Sequence, residues 1–181
     1  VRDGRHPEQH RPLGKGLYLR NHHGAHLNDR ELVLVEPVRG GRPCAYEAEM
    51  EPGLLRLRPK KGKGRVEMLL LAPGTVRIRA TGGLGLRLTA RPKPGNLAYR
   101  FSDSLYALNL RSARMRLQVE CLSGCQELDA PWVEDRCERL RVKLRPGADG
   151  TGEWALDRYT STWKRPKRRP FTEERQRVSR R

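Results

Sequence analysis

Residues 75–89 read TVRIRATGGLGLRLT, and this stretch contains the pattern that decides the fold. Before the Gly82-Gly83 pair, valine and isoleucine alternate with arginine; after it, leucine alternates with glycine and arginine. A period of two places apolar side chains on one face of a β-strand and polar ones on the other. The two glycines predict a hairpin turn. A phosphate-binding loop is disfavoured because no Lys-Ser/Thr ending follows and no helix begins there.

The same pattern recurs along the chain at intervals of about ten residues, with Gly and Pro turns between the segments. It predicts about eleven strands, at 32–36, 45–50, 54–58, 66–71, 75–79, 84–89, 98–101, 105–110, 115–121, 140–144 and 153–159. A single open sheet of that width would leave much apolar surface uncovered. We therefore predict an all-β fold, a two-sheet antiparallel β-sandwich.

The length of 181 residues suits one domain. Residues 1–16 are polar without any period and predict a flexible leader, followed by the sandwich over 17–163. Residues 164–181 are basic and nearly devoid of apolar side chains, which is typical of a flexible tail or linker. A helix is predicted to start there over 171–178, with Thr172 as its N-cap.

The chain is strongly basic: 38 Lys and Arg face 21 Asp and Glu, which gives a net charge of +17. Such a charge suggests nucleic acid, anionic lipid or an acidic protein as a partner. Arginines at alternate positions, such as Arg77 with Arg79 and Arg114 with Arg116, favour instead the solvated face of a sheet. The candidate polyanion-binding residues are Lys60, Lys61, Lys63, Arg65, Lys164, Arg165, Lys167, Arg168 and Arg169. For 60–65 a solvated turn is the favoured interpretation, because no aromatic residue is interleaved to stack on bases.

Four cysteines occur without a signal segment or an apolar run near 18 residues. Reduced thiols in the cytoplasm are therefore predicted, with no membrane association. Cys121, Cys125 and Cys137 are an incomplete zinc-ligand set, since every histidine lies far upstream. We expect no metal and no cofactor, and the histidines at 22, 23 and 26 are interpreted as part of a surface loop.

No serine has the strand-turn-helix context of an activated nucleophile. Asp129, Glu134 and Asp135 remain an alternative as catalytic carboxylates. Whether they can act in pairs depends on the distance between their carboxyl groups, which the sequence does not give. We expect no catalytic residue in this chain. Trp132, Trp154, Trp163 and His23 are candidate contacts for a sugar or for another domain, the tryptophans being able to stack on a flat ligand. For Trp132 and Trp163 the favoured interpretation is that they pin a loop and the linker to the sandwich.

A family resemblance rests on several short motifs. They are His23-Gly24, the segments 75–79 and 83–88, Asp129-Ala130-Pro131-Trp132, Cys137, the turn at 146–150 and Ser161-Thr162-Trp163. With them the chain, over roughly 17–178, resembles the N-terminal β-sandwich of glycogen-debranching-like proteins of the six-hairpin glycosidase superfamily. The resemblance implies a sandwich that packs on a helical barrel, in cis or in trans, whose carboxylates hydrolyse an α-glucan.

That resemblance implies a non-catalytic accessory domain of a glycoside hydrolase, because the helical barrel is not part of this sequence. It gives no reason for the charge of +17, since a glucan is uncharged. The alternative is a basic β-domain that binds RNA or belongs to a nucleoprotein assembly, with binding that weakens steeply with salt. A third possibility is an enzyme whose site lies on a face of the sandwich.

Overall fold

The computed structural model describes residues 16–19, 33–71, 74–90, 98–109, 116–129, 139–159 and 167–180. Fourteen strands and one helix lie within them. The strands are β1 (Leu17–Leu19), β2 (Val33–Arg39), β3 (Arg42–Pro43), β4 (Tyr46–Glu51), β5 (Leu54–Pro59), β6 (Val66–Leu71), β7 (Thr75–Ala80), β8 (Gly85–Ala90), β9 (Ala98–Ser102), β10 (Leu105–Asn109), β11 (Arg116–Ser123), β12 (Cys125–Asp129), β13 (Leu140–Arg145) and β14 (Gly152–Tyr159). The helix α1 spans Phe171–Ser179 and is too short to cross a membrane; no helix in the described part is long and apolar enough to do so.

The strands form two antiparallel sheets. One has six strands in the order β1-β2-β8-β13-β12, with β3 beside β2; the other has eight in the order β4-β5-β6-β7-β14-β11-β10-β9. The predicted two-sheet β-sandwich is confirmed, and each of the eleven predicted strands is present with slightly shifted ends. The prediction missed β1, β3 and β12, because two of them are only two or three residues long and β12 is largely polar.

The connection at Gly82-Gly83 crosses from one sheet to the other, so the predicted hairpin is wrong. β7 pairs with β6 and β14, whereas β8 pairs with β2 and β13. The amide of Gly83 donates to the carbonyl of Gly150, 2.9 Å away in the β13–β14 connection. Gly82 has a φ of +67°, and a Cβ there would lie 2.5 Å from the Cα of Gly64. This crossing therefore requires glycine for its conformation and for the close approach of another loop.

The core lies between the two sheets and is built by the predicted alternation. Leu55 and Leu57 of β5, and Leu86 and Leu88 of β8, are buried there. The largest core side chain is that of Trp154 on β14. Complete burial of such aliphatic side chains contributes roughly 1.5–3 kcal/mol each, so this inner layer supplies the main stabilisation of the sandwich.

The outer face of the eight-stranded sheet is covered by residues 167–180, so the flexible tail predicted from the sequence needs correction over this range. Phe171 is only 2% exposed and packs on Leu54 and Leu69, with Val178 alongside. The helix begins at Phe171 with Pro170 as the N-cap and no side-chain cap, so the prediction of Thr172 as the cap is wrong. A helix this short depends on tertiary contacts for its stability, and the sheet provides them. We call this surface the covered face.

The charges of the covered face are paired. Arg168 donates from Nε to Glu120, 2.6 Å away, and from its terminal nitrogen to Asp157; both carboxylates are buried. Burial works against the charge of Arg168, but the hydrogen bonds to Asp157 and Glu120 outweigh it and raise its pKa. Charge and hydrogen bonds together thus fasten the C-terminal segment to the sheet.

Arg77 is also part of this face, and its side chain is almost fully buried rather than solvated as the sequence suggested. Its guanidinium donates to the carbonyl of Arg169, 2.9 Å away. Burial lowers its pKa, although the Glu153 carboxylate opposes that effect. Arg79 follows on the same face and lies over the ring of Phe171, 5.8 Å from its centroid. Alternation of an arginine with apolar residues therefore does not show that the arginine is exposed to solvent, because another segment can pack over that face of the sheet.

Candidate functional site

The connection between β5 and β6, residues 60–65, is exposed and basic. Lys60, Lys61, Lys63 and Arg65 all have exposed side chains, as the sequence predicted for this turn. Arg65 lies 3.4 Å from the carboxylate of Glu67, whereas no ion pair joins the three lysines to a carboxylate within the described part of the chain. We call residues 60–65 the lysine loop. Its lysines are available to an external anion.

A second basic surface lies on the outer face of the six-stranded sheet. It is a cleft of about 590 Å³ whose lining includes the glycines of the β2–β3 and β7–β8 connections. Four cations line it: Arg87 of β8, and Arg141, Lys143 and Arg145 of β13. They alternate with the core residues Leu86, Leu88, Val142 and Leu144, and this alternation places them on the outer side. We call it the basic cleft.

The lysine loop and the basic cleft lie at the same end of the sandwich. Arg39, at the end of β2, donates to the carbonyl of Lys63. The next two residues after Arg39, Gly40 and Gly41, line the cleft. Gly82 contacts Gly64 of the loop, and the residue after it, Gly83, also lines the cleft. The two surfaces therefore form one continuous basic region, which we call the basic end.

Carboxylates neutralise part of the cleft charge. Arg87 donates from Nε to Glu36 at 2.9 Å, and Glu127 lies 3.7 Å from the amine of Lys143 and 2.6 Å from a terminal nitrogen of Arg145. The pairs are partly or largely exposed, so an incoming anion is able to compete with them.

The described members of the predicted C-terminal group, Lys167, Arg168 and Arg169, do not line the basic cleft. Lys167 and Arg169 are exposed, and Arg169 pairs with Glu173 at 2.8 Å. Arg168 is held by Glu120 and Asp157, so its guanidinium is not available to a polyanion and this part of the prediction needs correction. Lys164 and Arg165 lie outside the described residues. The segment lies on the outer face of the eight-stranded sheet, which also carries the lysine loop, and Glu67 pairs with both Arg65 of the loop and Arg175 of α1. The sandwich therefore separates the C-terminal segment from the basic cleft but not from the lysine loop.

The predicted aromatic contact at Trp154 is wrong. Its ring is completely buried between the sheets, with Gly124 and Gly152 packed against it. It faces the core because it alternates with Glu153 and Ala155 along β14. It therefore cannot stack on a sugar. Trp132, Trp163 and His23, the other three predicted contacts, lie outside the described residues.

The cysteines that the structure describes are free thiols, two of them half-buried and Cys125 exposed. Burial raises the pKa of Cys121 to about 11, so its thiolate is scarce at neutral pH. Within the described ranges no group of His, Cys, Asp or Glu converges in a way that could hold a metal ion. Cys137 and the histidines lie outside them, as do Glu134 and Asp135; Asp129 ends β12.

The sequence interpretation missed the basic cleft. The signal was present in part, since Arg141 and Lys143 occupy alternate positions of the predicted strand 140–144 and Arg145 directly follows it. That pattern alone does not distinguish a solvated face from a concave one. Arg87 joins them only because β8 pairs with β13. Strand pairing, rather than the pattern within a strand, creates the cleft.

Comparison with other proteins gives no family for this chain: no protein-family model matches the sequence, and no curated protein does. Over the described residues, the fold class is that of an all-β sandwich with one docked helix. The basic end is the feature of this fold that points to a function.

Proposed function

We propose that this domain binds RNA through the basic end, without catalysing a reaction itself. The observation that carries the proposal is the exposed lysine loop, whose three lysines have no carboxylate partner in the described part of the chain, next to a cleft lined by four further cations. Phosphate contacts from Lys and Arg supply most of the affinity in sequence-independent binding. Among the residues that the structure describes, the basic end has no exposed aromatic side chain for stacking, which favours recognition of the backbone over recognition of bases.

The distribution of charge supports the choice of this end. On the covered face, arginines are matched by buried carboxylates, and those ion pairs have a structural role. At the basic end the cations exceed the carboxylates, and the excess lies on loops and an outer sheet face. A surface of this kind attracts a polyanion from a distance and accelerates its association.

The test is the salt dependence of binding to a single-stranded RNA, measured by fluorescence anisotropy with a 20-nucleotide oligouridine. The triple variant Lys60→Gln, Lys61→Gln, Lys63→Gln should bind more weakly. Its slope of log affinity against log salt should be shallower by about 2, since each phosphate contact on a single strand contributes about 0.7. Its free energy of unfolding should stay within about 0.5 kcal/mol of the unchanged protein.

A matched control removes the same charge from the covered face. The variant Lys167→Gln, Arg169→Gln, Arg177→Gln changes three exposed cations and leaves the Arg168 pairs in place. RNA binding by this control should be nearly unchanged. If both triple variants lose the same affinity, binding reflects net charge alone, and the proposal fails. It also fails if the unchanged protein shows no salt-sensitive RNA binding.

The function implied by the family resemblance stays a prediction. The two-sheet sandwich agrees with it, but Trp154 no longer supports glucan binding, and neither the helical-barrel partner nor an α-glucan has been tested. A cytoplasmic location belongs to the present proposal, supported by the free thiols of Cys44, Cys121 and Cys125. Pull-down of a helical-barrel glycosidase together with α-glucan binding would favour the accessory-domain function instead.

A further inference from the structure

The basic cleft has the size of a small-ligand site. Its volume of about 590 Å³ falls within the range of pockets that hold small molecules and cofactors. Besides the four cations, its lining is mostly glycine and apolar, including Val38 and Pro146. Such a lining accommodates an uncharged part of a ligand, while the cations require an anionic part.

The cations of the cleft are brought together by strand pairing. Arg87 lies directly opposite Lys143 in the β8–β13 register. Arg141 and Arg145 lie two residues to either side of Lys143 on the same face, roughly 6.6 Å along the strand in each direction. Like charges directly opposite each other destabilise a sheet. Glu36 and Glu127 flank this row, and their ion pairs relieve part of the repulsion.

The floor of the cleft is shaped by Gly85. A Cβ at this position would lie 2.3 Å from the carbonyl oxygen of Leu144, so any other residue would force β8 and β13 apart. The glycine keeps the two strands close at the end of their pairing, next to the side chains of Arg87 and Arg145. Proteins keep unfavourable local interactions mainly at functional sites. The cations of the cleft repel one another, and the closely packed backbone at Gly85 holds them together, so this arrangement is expected of a binding site.

We infer that the basic cleft binds one phosphate group of a nucleotide-sized ligand, between Arg87, Lys143 and the arginines at 141 and 145. Arginine is suited to this role because its planar fork donates two parallel hydrogen bonds to a phosphate. The inference rests on the proposed function, since an RNA strand held by the lysine loop would supply such a phosphate. A free mononucleotide offers the same chemistry, and the experiment separates the two sources.

The experiment is a calorimetric titration of the whole chain with adenosine monophosphate, uridine monophosphate, inorganic phosphate and adenosine. Both monophosphates should bind with similar affinity, and adenosine should not bind. The variant Arg141→Gln should bind the monophosphates about tenfold more weakly, the effect of one charged hydrogen bond. Arg141→Lys, which keeps the charge but loses the fork, should recover only part of the affinity.

The lysine-loop triple variant separates the two proposals. It should bind the monophosphates like the unchanged protein, while its RNA affinity falls. If RNA binds and Arg141→Gln affects neither RNA nor monophosphates, the phosphate site in the cleft is ruled out and the proposed RNA function stands. If the monophosphates bind in the cleft and RNA does not bind, the cleft recognises a free nucleotide and the RNA function fails. Equal binding of adenosine and its monophosphate would overturn the inference as well.

Discussion

Two arginine–carboxylate pairs with the same nitrogen–oxygen distance lie on opposite faces of the sandwich. Arg168 and Glu120 are 2.6 Å apart on the covered face, and Arg145 and Glu127 are 2.6 Å apart at the basic cleft. The side chain of Arg168 is 12% exposed and that of Arg145 is 57% exposed. The nitrogen–oxygen distance is the same, but the surroundings differ. The Arg168 pair is largely shielded from water, whereas the Arg145 pair is exposed to it.

That difference gives the two faces different roles. Buried charges need their partners, because removal of one leaves the other unpaired in a poorly solvated site. Exposed pairs contribute little to stability and exchange their partners easily. The ion pairs of the covered face therefore hold the C-terminal segment in place. Those of the basic cleft leave their cations open to a ligand.

The largest expected effect comes from breaking the buried pair. Arg168→Met should lower the free energy of unfolding by about 3–5 kcal/mol, because the buried carboxylates of Glu120 and Asp157 would each lose the ion pair that joins them to the C-terminal segment. Arg145→Met is the matched control and should cost less than about 1 kcal/mol. Urea unfolding followed by circular dichroism measures both. Equal losses in the two variants would show that the faces do not differ in this way.

The apolar part of the covered face should have the next largest effect. Phe171→Ala should cost about 3 kcal/mol, because the ring packs on Leu54 and Leu69 with almost no exposure. Phe101→Ala, at a ring 58% exposed, should cost less than about 1 kcal/mol.

Combining Phe171→Ala with Arg168→Met should cost clearly less than the sum of the single losses. Each change weakens the docking of the same segment, and a segment that has already been released cannot lose further contacts. The measurement is the same urea titration, together with hydrogen exchange of α1. Strict additivity would contradict the view that residues 167–180 dock as one unit.

The smallest effect belongs to the basic end. Hydrogen bonds from the hydroxyl and then the amide of Thr151 lower the pKa of Asp149 below its ordinary 3.8. Its stabilising contribution is therefore fully present above the ordinary pKa and is lost as the pH falls through the lowered value. Carbon-13 NMR titration should give a midpoint below 3.8 for this carboxyl.

The variant Thr151→Val, which removes the hydroxyl donor to Asp149, provides the control for that titration. The midpoint of Asp149 should move back towards 3.8 in this variant, while the amide hydrogen bond keeps part of the shift. An unchanged midpoint would contradict the assignment of the shift to the Thr151 hydroxyl.

Much of the fold could be predicted because alternation is a local property. Leu55 and Leu57, or Val142 and Leu144, mark a strand and its buried face without any knowledge of the neighbouring strands. What failed was the assignment of partners. Gly82-Gly83 has the composition of a hairpin turn, yet the strands on either side join different sheets. Turn composition specifies a change of direction and does not specify where the next strand pairs.

The candidate site was predictable only in part for the same reason. The lysine loop is contiguous in sequence, so its four cations could be named in advance. The basic cleft unites Arg87 with a strand that begins more than fifty residues later, at Leu140. Trp154 shows the opposite error: it was predicted as a binding contact, but its side chain is buried in the core.

By itself the sequence determined where the strands lie, which of their faces are apolar, and that the chain has a net charge of +17. Only the tertiary structure decided which of those charges are neutralised. Arg77 and Arg87 occupy equivalent alternating positions in two strands that are consecutive in the sequence, but one is buried under residues 167–180 and the other lines an open cleft. The physical reason is that burial and countercharge both depend on segments distant in the chain, whereas the period of two depends only on the backbone of the strand itself.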